Sequence, residues 1–210
     1  MAAVAFTEAA STANKTADTT AHERDFPRSR LLYLGLRIGS VEVTVARTKP
    51  QTKTAPKASR PYMKGYGVPE SLKGALPWSW AEERITKSHN YWLTTVKPDG
   101  APHTMLVWGV WLDGAYYFST STTSRKGRNL QQNSHCIVCN ENAEEAVIVE
   151  GIARQLSDNE IPQQAFTDYK AKYGWELDPK MGAVHEVRPR TVFAMPEKLF
   201  PKAVTRWKFE

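Results

Sequence analysis

The residues best suited to chemistry lie in one run, Ser119-Thr120-Ser121-Thr122-Thr123-Ser124-Arg125-Lys126-Gly127-Arg128-Asn129-Leu130, where hydroxyls lead from a strand into a helix. Cations in the first turn of a helix oppose the macrodipole, whose N-terminal end is already positive. A bound anion removes that conflict, because free N–H groups, hydroxyls and basic side chains all attract it. A phosphate is the natural occupant. The competing reading is a solvated basic helix start with its side chains in water.

Other chemistry-bearing residues give weaker signals. Cys136 and Cys139 stand three apart on a predicted strand and face opposite sides of the sheet, so they read as reduced thiols packed as small hydrophobes, with no disulfide or zinc site. His103 could donate a hydrogen bond or shuttle a proton, but a lone histidine is more often structural. His89, His135 and His185 show no ligand spacing, and no metal site is expected. Lys170, Lys172 and Tyr173 fit an ordinary solvated helix face. Trp108 and Trp111 face opposite sides of a strand, one toward a pocket and one toward the core or an interface. No Ser-His-Asp, paired-carboxylate or Cys-His constellation is evident, and no catalytic residue is assigned.

These residues must be positioned by a mainly β scaffold. Pro77 to Ile85 reads as a helix start with Ser79 at the N-cap. Tyr91 to Val96 alternates as a strand, Pro98-Asp99-Gly100 turns the chain, Pro102 to Leu112 is one long apolar strand, and Asp113-Gly114 leads into Ala115 to Thr120. This meander is antiparallel. Ser124 to Asn133 reads as a helix, His135 to Asn140 and Val147 to Leu156 as strands. Asp158 to Tyr173 reads as a second helix capped by Asp158 and ended by Gly174, and Ala183 to Met195 and Val204 to Phe209 as a last pair of strands. About six to seven strands suffice to close a small barrel.

The chain has 210 residues, 41% hydrophobic and 24% charged, which suits one well-buried domain plus extras. The net charge of +6 sits mostly in residues 1–62, which hold 10 basic and 5 acidic side chains, while the remainder is nearly neutral. Nucleic acid is therefore not the expected partner. Residues 1–62 are expected to be a poorly structured basic N-terminal extension and 63–210 the binding domain. Met63 follows directly, so the extension reads either as the product of an upstream start or as a targeting segment. Leu31 to Ala46, the most apolar stretch, is broken by Arg37, Ser40 and Glu42, and no membrane span or secretory signal is expected.

Four stretches together resemble the pyridoxamine 5'-phosphate oxidase-like split-barrel family that binds FMN or the deazaflavin coenzyme. They are Asn90 to Val96 with Pro98-Asp99-Gly100; Pro102-His103 with Val107-Trp108-Gly109-Val110-Trp111; Ser124-Arg125-Lys126 with Asn129-Leu130; and Thr205-Arg206-Trp207. The resemblance covers about Leu76 to Phe209, in matching order and spacing, and is greatest to the branch that includes deazaflavin-dependent reductases. Similar proteins usually have Pro where Leu106 stands, and Ala where Gly127 slightly weakens the helix.

The resemblance implies a mainly β fold, a split β-barrel of antiparallel, Greek-key-like strands with flanking helices. It implies an oxidoreductase that uses deazaflavin coenzyme F-420 or FMN for hydride transfer to a small organic substrate. Arg125 and Lys126 would bind the cofactor phosphate, with Ser119, Thr120 and Ser124 beside it. His103, Thr104 and Met105 lie on the strand that runs along the cofactor, Asn129 belongs to the helix motif, and Trp207 would approach from the C-terminal strand. A cytoplasmic homodimer with the cofactor near the subunit interface is implied. Two alternatives stay open: a non-catalytic flavin, deazaflavin or tetrapyrrole binding or storage protein, and pyridoxamine 5'-phosphate oxidation proper, which matches less well beyond Arg206-Trp207.

Overall fold

Alternation of buried and open side chains builds the sheet of the computed structural model, which describes residues 55–209. In β2 (Tyr91–Val96) the side chains of Tyr91, Leu93 and Thr95 are buried while Trp92 between them is open. The other strands are β1 (Lys57–Ser59), β3 (Pro102–Val107), β4 (Gly109–Leu112), β5 (Ala115–Thr120), β6 (His135–Asn140), β7 (Glu145–Gln155), β8 (Ala183–Pro196) and β9 (Thr205–Lys208). All pairings are antiparallel, in the order β1-β9-β8-β7-β6-β2-β3, with β5 joining β8 to β4. Because β3 and β4 are consecutive, the pairings run in a ring from β2 through β6, β7, β8, β5 and β4 back to β3. The mainly β split barrel expected from the sequence is the observed architecture.

The segment from Pro102 to Leu112, expected as one strand, is two. It pairs with β2 up to Val107 and with β5 from Gly109. A Cβ on Gly109 would collide with the Tyr116 ring and the Tyr117 carbonyl, so only glycine allows the change of partner there. β8 changes partner too, pairing β5 over Ala183 to Val187 and β9 over Thr191 to Ala194. A register shift at Glu150/Gly151 faces Pro189, which has no N–H for a continuous ladder. These two strands split the barrel.

Regular structure also begins earlier than expected. Most of the N-terminal extension, residues 1–54, lies outside the described residues, but β1 falls within the segment read as unstructured. It adds to β9 with Ala58 opposite Trp207. The Arg60 guanidinium then donates to the carbonyls of Val204, Ser71 and Lys73, holding the following chain to the sheet.

Helix α1 (Trp78–Lys87) has Pro77 at its N-cap, so Ser79 stands inside the first turn and caps nothing. The helix expected from Asp158 to Tyr173 is interrupted at Pro162, whose missing N–H ends the preceding turn. A 3-10 turn, Asp158–Glu160, is closed by Ser157 and Glu160 in a reciprocal capping box, and α3 (Gln163–Tyr173) follows, ended by Gly174 at φ 70°. Asp158 is not the cap. Among the described residues no helix is long and apolar enough to cross a membrane.

One core fills the barrel, around Tyr91, Leu93, Tyr116, Phe118, Val149 and Trp207. A second lies between α3 and the outer face of β4, β5 and β8, around Tyr117, Ile161, Ala165 and Val184. The end of α3 seals this layer, contrary to the solvated face expected there. Lys172 is half-buried, and its Nζ donates to Tyr91 Oη at 2.7 Å, Gly109 O at 3.3 Å and Thr86 O at 3.4 Å, the last a carbonyl in the final turn of α1. Tyr173 Oη accepts from Gly109 N at 3.0 Å and faces the carbonyls of His89 and Gly109 at 2.7 and 2.9 Å.

Helix α2 (Arg125–Gln132) begins at Ser124, whose Oγ accepts from Gly127 N at 3.0 Å. The preceding loop folds tightly over this start. A Cβ on Gly127 would collide with Ser121 O and lie 3.0 Å from Thr122 Cα. Gly127 therefore does more than weaken the helix, because it admits the loop.

Two measurements test this packing. Burial pushes the Lys172 pKa down from 10.5 to about 8. The unfolded chain then keeps that proton between about pH 8 and 10.5 while the folded chain has lost it, so stability rises with pH across this window. Discounted for its open portion, the gain relative to Lys172→Met is about 1–2 kcal/mol, read by urea unfolding at pH 7.5 and pH 10. Gly127→Ala should destabilise the protein by about 1–2 kcal/mol in the same assay, since the clash outweighs a helix-propensity gain of about 1 kcal/mol.

Candidate functional site

Helix α2 packs on β2, and β2 pairs with β3, so one strand separates the predicted phosphate grip from the predicted ring-side strand. Arg125 and Lys126 occupy the first two helical positions, with no acidic residue in that turn. Arg125 is exposed and Lys126 half-buried, and among the described residues neither has a hydrogen-bond or ion-pair partner. Arg128 differs, since its guanidinium donates to Thr123 O. Two cations at a positive helix end without a counter-charge are the electrostatic pattern of an anion site.

The hydroxyls divide differently from expectation. Ser119 Oγ donates to Gly182 O at 3.0 Å, and Thr120 Oγ1 lies 3.0 Å from Ser124 Oγ, so these three shape the strand-to-helix corner. Thr120 is 7% exposed. Ser121 and Thr123 bond to each other at 2.8 Å, and the exposed Thr122 hydroxyl has no partner among the described residues. Thr122 lies inside the hydroxyl run and carries no distinguishing signal of its own in the sequence. Its availability depends on which neighbours the loop uses internally, and spacing does not reveal that.

His103, Thr104 and Met105 lie on β3, whose strand partner among the described residues is β2 alone. The other edge of β3 therefore carries unpaired backbone N–H and C=O groups. His103 is half-buried, Thr104 exposed and Met105 45% exposed. The strand thus offers hydrogen-bonding backbone beside apolar surface, a pairing suited to the edge and face of a planar ring. Next to it Trp108 is 40% exposed and stacks on Tyr173 at 4.9 Å and 7°, while Trp111 is 6% exposed and fills the barrel. The two tryptophans do face opposite sides.

Two predicted contact residues cannot touch a ligand where they stand. Trp207 is 1% exposed and packs edge-on against Trp78 at 5.5 Å, so it anchors the core. Asn129 is also 1% exposed: it sits one turn inside α2, on the side facing β2, and its Nδ2 donates to Thr95 Oγ1 at 2.9 Å. Its Oδ1 is buried with no partner among the described residues. The sequence suggested a contact in each case because motif position does not tell which way a side chain points.

Two cavities stand out, and neither is lined by Arg125, Lys126 or His103. One of about 450 Å³ lies between α3 and the 176–179 segment, among Phe166, Lys170, Glu176 and Leu177. The other, about 380 Å³, borders Ser121 and Thr122 and runs past Gln155 and Lys180 to Val184. Both the grip and the strand edge lie outside them, and an enclosed slot for a tricyclic ring beside the helix start is not among these cavities. Burial raises Cys136 to about 12 and lowers His185, while the hydrogen bonds from Arg188 and Tyr117 hold Glu186 ionised against its burial.

Comparison with known proteins gives a family. The model described as Pyridoxamine 5'-phosphate oxidase matches residues 80–196, which include β2 to β8 and both halves of the site. No curated protein sequence matches the chain. Among solved structures, a conserved hypothetical protein from Mycobacterium tuberculosis shares 18% identity over 61% of this chain and 89% of its own, with a TM-score of 0.51. An F420 reductase shares 22% identity over 53% of this chain and 94% of its own, with a TM-score of 0.45. The heme storage protein HutZ from Vibrio cholerae shares 17% over 55% and 89%, with a TM-score of 0.45. With the family model covering more than half of the sequence and a split barrel as its fold, the chain belongs to the pyridoxamine 5'-phosphate oxidase-like family.

Proposed function

We propose that the protein is an oxidoreductase that holds the deazaflavin coenzyme F-420 or FMN, with the phosphate on Arg125, Lys126 and the free N–H groups of α2, and the ring system along β3. The observation that carries this reading is the pair of unpartnered cations at a helix end, one strand away from an unpaired strand edge. These features suit a ligand with a phosphate at one end and a flat, hydrogen-bonding ring at the other. When bound, the cofactor supplies hydride chemistry. The chain's own residues bind and orient: the cations fix one end, β3 offers backbone groups to the other, and Met105 and Trp108 shield it from water.

The openness of this surface favours a site completed by a second copy of the chain. Trp92 and Leu106 are cross-strand partners, 47% and 45% exposed, and Cys139 and Ile148 continue the same register across the sheet. An apolar sheet face beside an incomplete pocket suits an isologous dimer. In a non-catalytic reading, the same grip stores a flavin, a deazaflavin or a tetrapyrrole. Reduction of the bound cofactor followed by reoxidation with an acceptor distinguishes turnover from storage.

Arg125→Ala with Lys126→Ala should weaken FMN and F-420 binding at least about 100-fold, given about 1.5–3 kcal/mol per charge-assisted hydrogen bond. Fluorescence titration of both cofactors measures this, and unchanged affinity for both removes the assignment. Trp92→Glu should convert a dimer into a 23.7 kDa monomer by light scattering and weaken cofactor binding in parallel. Retention of the dimer would dismiss this face as the interface.

A further inference from the structure

We infer that Thr95 is a positioning residue that couples the anion grip on α2 to the backbone of β3, an inference that rests on the cofactor reading above. Thr95 is fully buried and directly opposite His103 in the β2–β3 register. Its hydroxyl accepts from Asn129 Nδ2 at 2.9 Å and donates to His103 O at 3.3 Å. A hydroxyl has one proton, and here it is committed to the strand while a lone pair receives the helix. The link thus runs from α2 to β3 through one side chain.

Asn129 gives the link its direction. Its amide lies on the α2 surface one turn from Arg125 and three residues from Lys126, the neighbouring positions on a helix. Among the described residues, Nδ2 to Thr95 is the side chain's single hydrogen bond, and Oδ1 is buried without a partner. A buried, half-satisfied amide is retained at a cost, and here it tethers the first turns of α2 to the barrel. When an anion draws the start of α2 into place, Asn129 and Thr95 carry that ordering to the His103 carbonyl, beside the free edge of β3. The phosphate end thereby prepares the ring end.

The probes are FMN and riboflavin, which share a ring system and differ by the phosphate. Wild type should prefer FMN by about 100-fold or more, and Thr95→Val should cut that preference about tenfold while changing riboflavin affinity less than about threefold. Thr95→Ser, which keeps the hydroxyl, should restore the wild-type preference, which a purely structural role for the methyl group would not. A variant-free arm adds inorganic phosphate to wild type and follows backbone amide resonances by NMR. Movement at His103 and Thr104 together with Arg125 and Lys126 supports the coupling, and movement confined to α2 overturns it, even if Thr95→Val does not fold. Where wild type shows the FMN preference and Thr95→Val retains it, only the coupling falls. Where wild type shows no preference and no response to phosphate, the cofactor reading falls and takes the coupling with it.

Discussion

The hydroxyl of Tyr173 meets the backbone of Gly109 at the point where one strand becomes two. Up to Val107 the chain needs β2 as its neighbour, and from Gly109 it needs β5. A change of partner leaves backbone groups unsatisfied at the joint, and buried groups of that kind are costly. Tyr173 takes the Gly109 N–H, while Lys172 and the Tyr173 hydroxyl serve the Gly109 carbonyl. The end of α3 thus substitutes for the missing strand. Ring closure, the second core under α3 and the free edge of β3 all follow from this junction, because a strand that bends away to join β5 cannot also cover its own first half.

The same economy shapes the start of α2. Ser124 caps the helix with a neutral oxygen where an aspartate would have supplied a compensating charge. Thr120 and Ser119 lock the corner, and Gly127 lets the 121–123 loop close over it. What remains outward is positive: two cations, helix N–H groups and one uncommitted hydroxyl. Some other charged residues are paired, as where Glu186 receives Arg188 at 2.9 Å and Tyr117 at 3.0 Å at the edge of the second core, while exposed ones such as Lys208 stand in solvent. What sets Arg125 and Lys126 apart is their place in the first turn of a helix, where the macrodipole already opposes them.

The family resemblance and the geometry bear on different residues. The motif points to Arg125 and Lys126, which have no partner among the described residues. The motif also named Asn129 and Trp207, which the structure buries, and it was silent on Thr95, which the structure places between helix and strand. A short motif preserves the spacing of a segment as a whole, including residues that hold the segment in place, so membership in it does not distinguish contact from support.

Hydrophobic alternation and turn chemistry in the sequence determined most strand positions, the antiparallel class and the strand-to-helix corner at Ser124, because those depend on neighbours a few residues away. His135 to Asn140 and the Gly174 stop agree with the structure for that reason. The division at Trp108, the use of β1 as an edge strand and the burial of Lys172 were decided only in three dimensions. Each depends on a partner far along the chain: Tyr173 for Gly109, Trp207 for Ala58, Tyr91 for Lys172. Local sequence fixes the periodicity of a segment, but which of its polar groups are left to face a ligand depends on what the folded chain brings against them.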